Sequence, residues 1–294
     1  MAVTAEQVKR LRDRTGAGMA DCKKALEEAE GNDELALDIL RKRGAASAAK
    51  RADRQAKEGV IVTALSPDMK KAVIAEVNRE TDLFERNGMF IHFEQDIATS
   101  ALTHSPNSQE EFMMVKLSTG ITVSEAVGEQ TGRIGEKIEA RRFAALDGGA
   151  NGHVVSYIHP GAKLGVLVAI GGNDRERATA VGRDVAMQVA AMNPMALDRS
   201  QIDAVTLEKE IDIIKTQLRN EGKKEEMIDK ISTGKLEKFY QDNCLIEQSF
   251  IKDASKTIKE ILKDSGDLSI TGYIRMQLGE GQPILSEAEE AAIA

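Results

Sequence analysis

The chain has 294 residues, 41% apolar and 30% charged, a profile of about two globular domains that excludes disordered and fibrous classes. Trp is absent and aromatics are only 3%, so stacking platforms for single-stranded nucleic acid are disfavoured, and the formal net charge of −8 disfavours duplex nucleic acid as well. No apolar run approaches the ~20 residues of a membrane span, Met1–Arg14 lacks the apolar centre of a secretory signal, and Cys22 and Cys244 have no metal spacing and read as reduced cytosolic thiols.

The chain opens with three short helices. Thr4 and Gln7 form a capping box, Val8 and Leu11 give the apolar face of a helix ending near Thr15, and Gly16-Ala-Gly18 is a turn. A second helix spans about Met19 to Glu30, with Cys22, Ala25, Leu26 and Ala29 on one stripe and Gly31 as its stop. Asn32 caps a third helix bearing Leu35, Leu37, Ile39 and Leu40, which Gly44 ends. From Arg41 to Lys57 there are seven basic residues against one acidic residue, Asp53, so residues 1–57 carry +3 and the remainder −11. Such a run reads first as a solvated linker helix, with a nucleic-acid or partner contact as the alternative.

An internal repeat follows. Gly59–Val77 (GVIVTALSPDMKKAVIAEV) aligns without gaps on Gly152–Ile170 (GHVVSYIHPGAKLGVLVAI), sharing Gly59/Gly152, Val62/Val155, Pro67/Pro160, Lys70/Lys163 and Val73/Val166. Each copy reads as two alternating strands joined by a Pro turn and followed by a helix, Asp96-Ile-Ala98 matching Asp184-Val-Ala186. The offset falls from 93 to 88 residues between strand and helix, so the first copy holds five extra residues within Asn78–Asn87, either a functional elaboration or a longer loop. Between the copies, Gln109–Leu146 reads as helical, broken near Ser118–Gly120 and Thr131–Gly132. Leu207, Ile211, Ile214 and Leu218, then Met227, Ile228 and Ile231 across Glu221-Gly-Lys223, predict an αα-hairpin that packs on itself or projects as a partner-binding arm. A late strand is expected, with Ile270, Gly272, Ile274, Met276 and Leu278 on one face and Thr271, Tyr273, Arg275 and Gln277 on the other. The acidic, Ala-rich Glu280–Ala294 reads as a terminal helix or tail.

Catalytic motifs are missing. There is no G-x-x-x-x-G-K-[ST], H-E-x-x-H, C-x-x-C or G-x-S-x-G, and Gly16-x-Gly18 lacks both a preceding strand and a third glycine. His92, His104, His153 and His159 are scattered; only His159 stands beside a turn, where histidine is more often a surface or packing residue than a base. Cys22 reads as core. By elimination the chain is a binding protein, without cofactor, metal or catalytic set, with an α+β fold.

Four runs then carry a resemblance: Leu11–Leu26 (LRDRTGAGMADCKKAL), Glu76–Asn87 (EVNRETDLFERN), Ile134–Arg142 (IGEKIEARR) and Gly234–Tyr240 (GKLEKFY) continuing to Phe250. In content and order they resemble the signatures of the bacterial elongation factor Ts family across nearly the whole chain. The resemblance implies an N-terminal three-helix, ubiquitin-associated-like docking module with its basic linker helix (1–57), a core N-subdomain (58–147), a core C-subdomain (148–198 and 234–279), a helical-hairpin or coiled-coil dimerisation module (199–233) and a tail (280–294). It implies a guanine-nucleotide exchange factor for elongation factor Tu, located in the cytoplasm, with no nucleotide site of its own and with a homodimer left open. Thr81, Asp82, Leu83 and Phe84 match the family's Thr-Asp-Phe-Val stretch, whose aromatic enters between two helices of the GTPase domain and disturbs the Mg²⁺ site. Leu83 stands where most relatives carry Phe, so either a smaller apolar group fills that slot or Phe84 takes over the role. Ile134, Gly135 and His159 match partner-contact positions, and Lys23 matches a docking lysine. The alternative is a helical docking or nucleic-acid-binding protein without exchange activity.

Overall fold

The computed structural model describes residues 3–82, 88–172 and 174–281. Helices α1 (Ala5–Thr15), α2 (Met19–Glu28) and α3 (Asp33–Lys50) form the N-terminal module. The Thr4–Gln7 capping box closes α1 at its start, Gly16 in the left-handed region ends it, and Asn32 caps α3. Val8, Leu11, Cys22, Ala25, Leu26, Ala29 and Ala36 make the small core, whereas Leu35 is exposed. Gly44 does not end α3, contrary to the expectation. The helix runs through it to Lys50 because another helix lies against that glycine, as described below.

The first core unit comprises β1 (Glu58–Leu65), β2 (Lys71–Arg79), α4 (Gly88–His104), α5 (Gln109–Met114), α6 (Val123–Ile134) and β3 (Ile138–Asp147). The strands form an antiparallel sheet in the order β1-β2-β3. The expectation that Gln109–Leu146 is helical fails at its end, which is β3, and α6 is unbroken at Thr131–Gly132. A β-bulge hides the strand's period. Glu76 of β2 faces Arg142 and Val77 faces Ala140, so Arg141 is an extra residue and the in/out alternation slips within the strand.

The second unit has β4 (Gly152–Ile158), β5 (Leu164–Gly171), α7 (Arg175–Met192), the hairpin α8 (Ala204–Asn220) and α9 (Glu225–Asn243), the short strands β6 (Ser249–Phe250) and β7 (Asp253–Thr257), α10 (Ile258–Asp264) and β8 (Ser269–Gln277). Its sheet order is β4-β5-β8. The late strand is present, but its two faces are not as expected. Ala169 faces Gly272 and Ile170 faces Ile270, so Thr271 is a bulge residue; Ile270 and Tyr273 join the core under α7, while Ile274 and Met276 join the opposite one. Within the hairpin, Ile214, Leu218 and Ile228 are buried against one another, and Met227 lies outside the seam.

The duplication is carried through in three dimensions. Val62, Val73, Ala75 and Val77 face the core under α4, and their equivalents Val155, Val166, Val168 and Ile170 face the core under α7. Ile61, Leu65 and Ile74, with Val154, Ile158 and Leu167, meet between the two sheets. The order is therefore helix, sheet, sheet, helix, and because both faces of β2 and β5 are covered, both strands read as continuous apolar runs. Contacts between the units are reciprocal. The Ile61 amide donates to the Ala162 carbonyl at 2.6 Å, and Val154 donates to that of the equivalent Met69 at 2.7 Å. Lys163 pairs with Glu58 at 2.7 Å, while Lys70 donates to the Gly149, Ala150 and Gly152 carbonyls.

Candidate functional site

β2 ends at Arg79, and the chain leaves it through Glu80, Thr81 and Asp82. Leu83 and Phe84 lie outside the described residues. Beneath this exit, Arg79 Nη1 donates to Glu94 Oε1 of α4 at 2.8 Å, with both side chains almost fully buried and the guanidinium carbon 5.3 Å from the centre of the Phe90 ring. One residue earlier, buried Asn78 donates from Nδ2 to the Ala56 carbonyl at 3.2 Å, seating the end of the linker after α3.

The turn after α6 meets the same exit. Gly135, at φ +82°, caps α6 by donating to the Thr131 carbonyl, and Ile138 donates to the Thr131 hydroxyl at 3.2 Å, so a reversal of three residues leads directly into β3. Within that turn Glu136 accepts two hydrogen bonds from Thr81, from its amide at 3.1 Å and its hydroxyl at 2.7 Å. The Lys137 amide donates to Glu80 Oε1 at 2.7 Å, and Arg54 reaches Glu80 Oε2 at 3.3 Å. Lys137 Nζ donates to the Ala52 and Arg54 carbonyls at 2.7 and 2.9 Å. Three chain segments, 52–56, 78–82 and 135–138, are thus knitted together at one end of the first sheet.

Of the residues singled out from the sequence, Thr81, Asp82, Ile134 and Gly135 belong to this cluster. Asp82 is exposed and Ile134 is partly buried against the core under α4. His159 sits on the β4–β5 turn, its ring nitrogen Nδ1 2.9 Å from the Tyr157 hydroxyl. That turn lies at the same end of the core, because its Lys163 pairs with Glu58, the neighbour of Arg79 across the β1–β2 ladder. Lys23 stands apart, exposed on α2 and 3.7 Å from Glu27 one turn on. Glu80, Glu136, Lys137 and Arg54 were not singled out. The signal available for the first three was their position inside the quoted runs, as charges adjacent to the named positions.

The N-terminal module is joined to this cluster by more than its linker. α3 crosses α6 at backbone contact: a methyl group on Gly132 would lie 2.5 Å from the Gly44 Cα, and one on Gly44 would lie 3.0 Å from the Gly128 carbonyl oxygen. Arg41 pairs with Glu129 at 2.8 Å, and Arg133 lies across the Gly16 backbone with its Nη2 3.4 Å from Met89 Sδ; burial lowers its pKa from the ordinary guanidinium range. A cleft of ≈ 560 Å³ remains between module and core. Three of the seven basic residues of the run are paired within the chain, Arg41, Arg43 and Arg54 with Glu129, Glu28 and Glu80.

A second buried charge ties the halves of the core. Glu76, without solvent contact, accepts from Arg141 at 3.0 Å, Arg142 at 2.5 Å and the Gly279 amide at 2.9 Å, just beyond β8. Burial alone would raise its pKa; the Gly279 amide and the two guanidiniums outweigh that and hold the carboxyl below its ordinary range. Among the described residues no group of three His, Cys, Asp or Glu is placed to hold a metal, and no helix is long and apolar enough to cross a membrane.

Comparison with known proteins agrees with the four quoted runs. The family model for elongation factor Ts matches residues 80–280. The chain is 45% identical over 287 residues to "Elongation factor Ts" of Chloroherpeton thalassium, covering 95% of this chain and 99% of that one. It is 44% identical over 285 residues to the protein of the same name from Chlorobaculum tepidum (94% and 99%), and 45% identical over 286 residues to that of Chlorobium chlorochromatii (95% and 99%). With a match along almost its whole length, the chain belongs to the elongation factor Ts family.

Proposed function

We infer that this chain is a guanine-nucleotide exchange factor that binds elongation factor Tu·GDP, disturbs its Mg²⁺ and phosphate site, and promotes GDP release so that GTP can rebind during translation elongation, a cytoplasmic task. The observation that carries this reading is the hydrogen bonding of Thr81 to Glu136 and of Glu80 to the Lys137 amide in a family member, which supports taking Thr81-Asp82 and Ile134-Gly135 as parts of one partner contact. The requirement on such a protein is thermodynamic. It must bind the empty GTPase more tightly than the GDP-bound form, and by linkage GDP weakens its binding by the same factor. A ~10³-fold weakening corresponds to about 4 kcal/mol, which a few polar and apolar contacts placed without further ordering can supply.

On this reading Thr81, Asp82, Leu83 and Phe84 displace the metal site, Ile134, Gly135 and His159 hold the partner, and the three-helix module, ubiquitin-associated-like, docks on the GTPase domain through Lys23. The α8–α9 hairpin is the coiled-coil module and a candidate homodimer contact; its apolar seam is closed within the hairpin while Ile213 and Met227 remain exposed. The test is stopped-flow release of fluorescent GDP from elongation factor Tu. Acceleration is expected at substoichiometric concentration. A tight complex without acceleration would overturn the reading. Asp82→Ala is expected to lower the saturating rate much more than it weakens binding, and loss of binding with full rate at saturation would sink the wedge assignment.

A further inference from the structure

We propose that Glu136 is a positioning residue for nucleotide exchange, acting through Thr81: its carboxylate fixes the direction in which the chain leaves β2 and so presents Asp82 to the partner. The proposal rests on the exchange-factor reading above. Its basis is geometric. The two donors of Thr81, the amide at 3.1 Å and the hydroxyl at 2.7 Å, converge on the two oxygens of one carboxylate. A single acceptor therefore fixes both the backbone and the χ1 rotor of Thr81, the last residue before exposed Asp82.

Glu136 is itself held on both sides. Before it, Gly135 adopts the left-handed conformation that ends α6. After it, the Lys137 amide is bound to Glu80, and Lys137 Nζ is bound to two linker carbonyls. The carboxylate thus projects from a rigid reversal, the requirement for a group that orients another. Its neighbours Ile134 and Gly135 are the expected partner contacts, so Glu136 also aligns the two contact segments with each other. A carboxylate suits this place because both Thr81 groups are donors. A carboxamide of the same shape can accept from the Thr81 amide and donate its NH₂ to the hydroxyl, so it reverses one of the two bonds and removes the charge from both.

The experiment is GDP release from elongation factor Tu by the full chain and its variants, titrated to saturation. The wild-type chain tests the exchange reading alone: if it does not accelerate release, that reading fails before Glu136 is considered. With an active wild type, Glu136→Gln is expected to lower the saturating rate by roughly 10-fold, the effect of exchanging two charge-assisted hydrogen bonds for weaker neutral ones, with the half-saturating concentration within ~2-fold. Thr81→Val should give a similar fall, and Thr81→Ser should recover most of what Thr81→Val loses. Glu136→Gln combined with Thr81→Val should slow release by less than the product of the two single effects, since both act on the same Thr81–Glu136 contact. An unchanged saturating rate in Glu136→Gln overturns the proposal. A shift confined to the half-saturating concentration overturns it too, making Glu136 a direct partner contact, and so does multiplicative slowing in the double variant. If Glu136→Gln also loses thermal stability, Thr81→Val against Thr81→Ser decides: equal rates reject the assignment.

Discussion

At the foot of the Thr81–Asp82 exit, Arg79 and Glu94 form an ion pair with 2% and 5% of their side chains exposed, tying the last residue of β2 to the second turn of α4. Such a pair is an uncertain source of net stability, because removing two ions from water costs about as much as their attraction returns. Breaking it is another matter, since the surviving charge stays buried. Arg79 already has a buried Nε without an acceptor among the described residues. Glu94→Ala is therefore expected to destabilise the chain by about 3–5 kcal/mol, read as a lower urea midpoint at unchanged slope. The joint replacement Arg79→Met with Glu94→Leu should recover most of that loss. A single variant costing under ~1 kcal/mol would show that Arg79 reaches water when its partner is removed. The same logic sorts the candidate site. Thr81 and Asp82 could be named from their run because the match is local, but the pairing of Thr81 with Glu136 spans 55 positions and leaves no periodic trace.

At the scale of elements, the crossing of α3 and α6 shows why one glycine was misread. A glycine after an apolar stripe is the usual sign of a helix end, and the local signal against it is the helix-favouring Ala45-Ala-Ser-Ala-Ala49 run that follows. What keeps Gly44 helical is 84 to 88 residues away, in Gly128 and Gly132 one turn apart on α6. β3 was hidden for a similar reason, since the bulge at Arg141 places two arginines in succession on one partner carboxylate. The paired strands of the repeat were legible because they carry no such slip. The glycines also give a graded prediction. A methyl at Gly128 would sit 3.7 Å from the Ala45 Cα, an ordinary contact, while one at Gly132 would sit 2.5 Å from the Gly44 Cα. Gly128→Ala is expected to be neutral or to stabilise by up to ~1 kcal/mol through helix propensity. Gly132→Ala should cost about 1–3 kcal/mol by forcing the helices apart, with faster proteolysis of residues 1–57. Equal melting temperatures for the two variants would mean that the module is not seated on α6 in solution.

At the scale of the whole molecule, two copies of a β-β-α-β unit are joined face to face by reciprocal bonds, as an approximate two-fold axis requires. The copies depart from each other at Glu76, whose equivalent in the second unit is Ala169, and that departure connects the halves. The carboxylate holds Gly279 at the end of β8, while Arg142 donates to the Gln277 carbonyl and Arg141 to that of Glu280. Its lowered pKa fixes the sign of the pH effect. A carboxyl bound more tightly as the anion in the folded state contributes stability that is complete above its unfolded pKa of ~4.5 and is lost as pH falls through the lower folded value. Glu76→Gln keeps the shape and one acceptor but not the charge. Because Arg141 and Arg142 retain 18% and 31% of their side-chain exposure, the cost near pH 7 should be ~1–3 kcal/mol, below that of a fully dry pair. The difference in melting temperature between wild type and Glu76→Gln should therefore be widest near neutrality and narrow as pH falls below ~4.5, where the wild-type carboxyl takes up its proton. A difference constant from neutrality to acid pH would mean that packing, not charge, joins the halves, and two separate transitions in the variant would show that Glu76 is what makes them unfold as one.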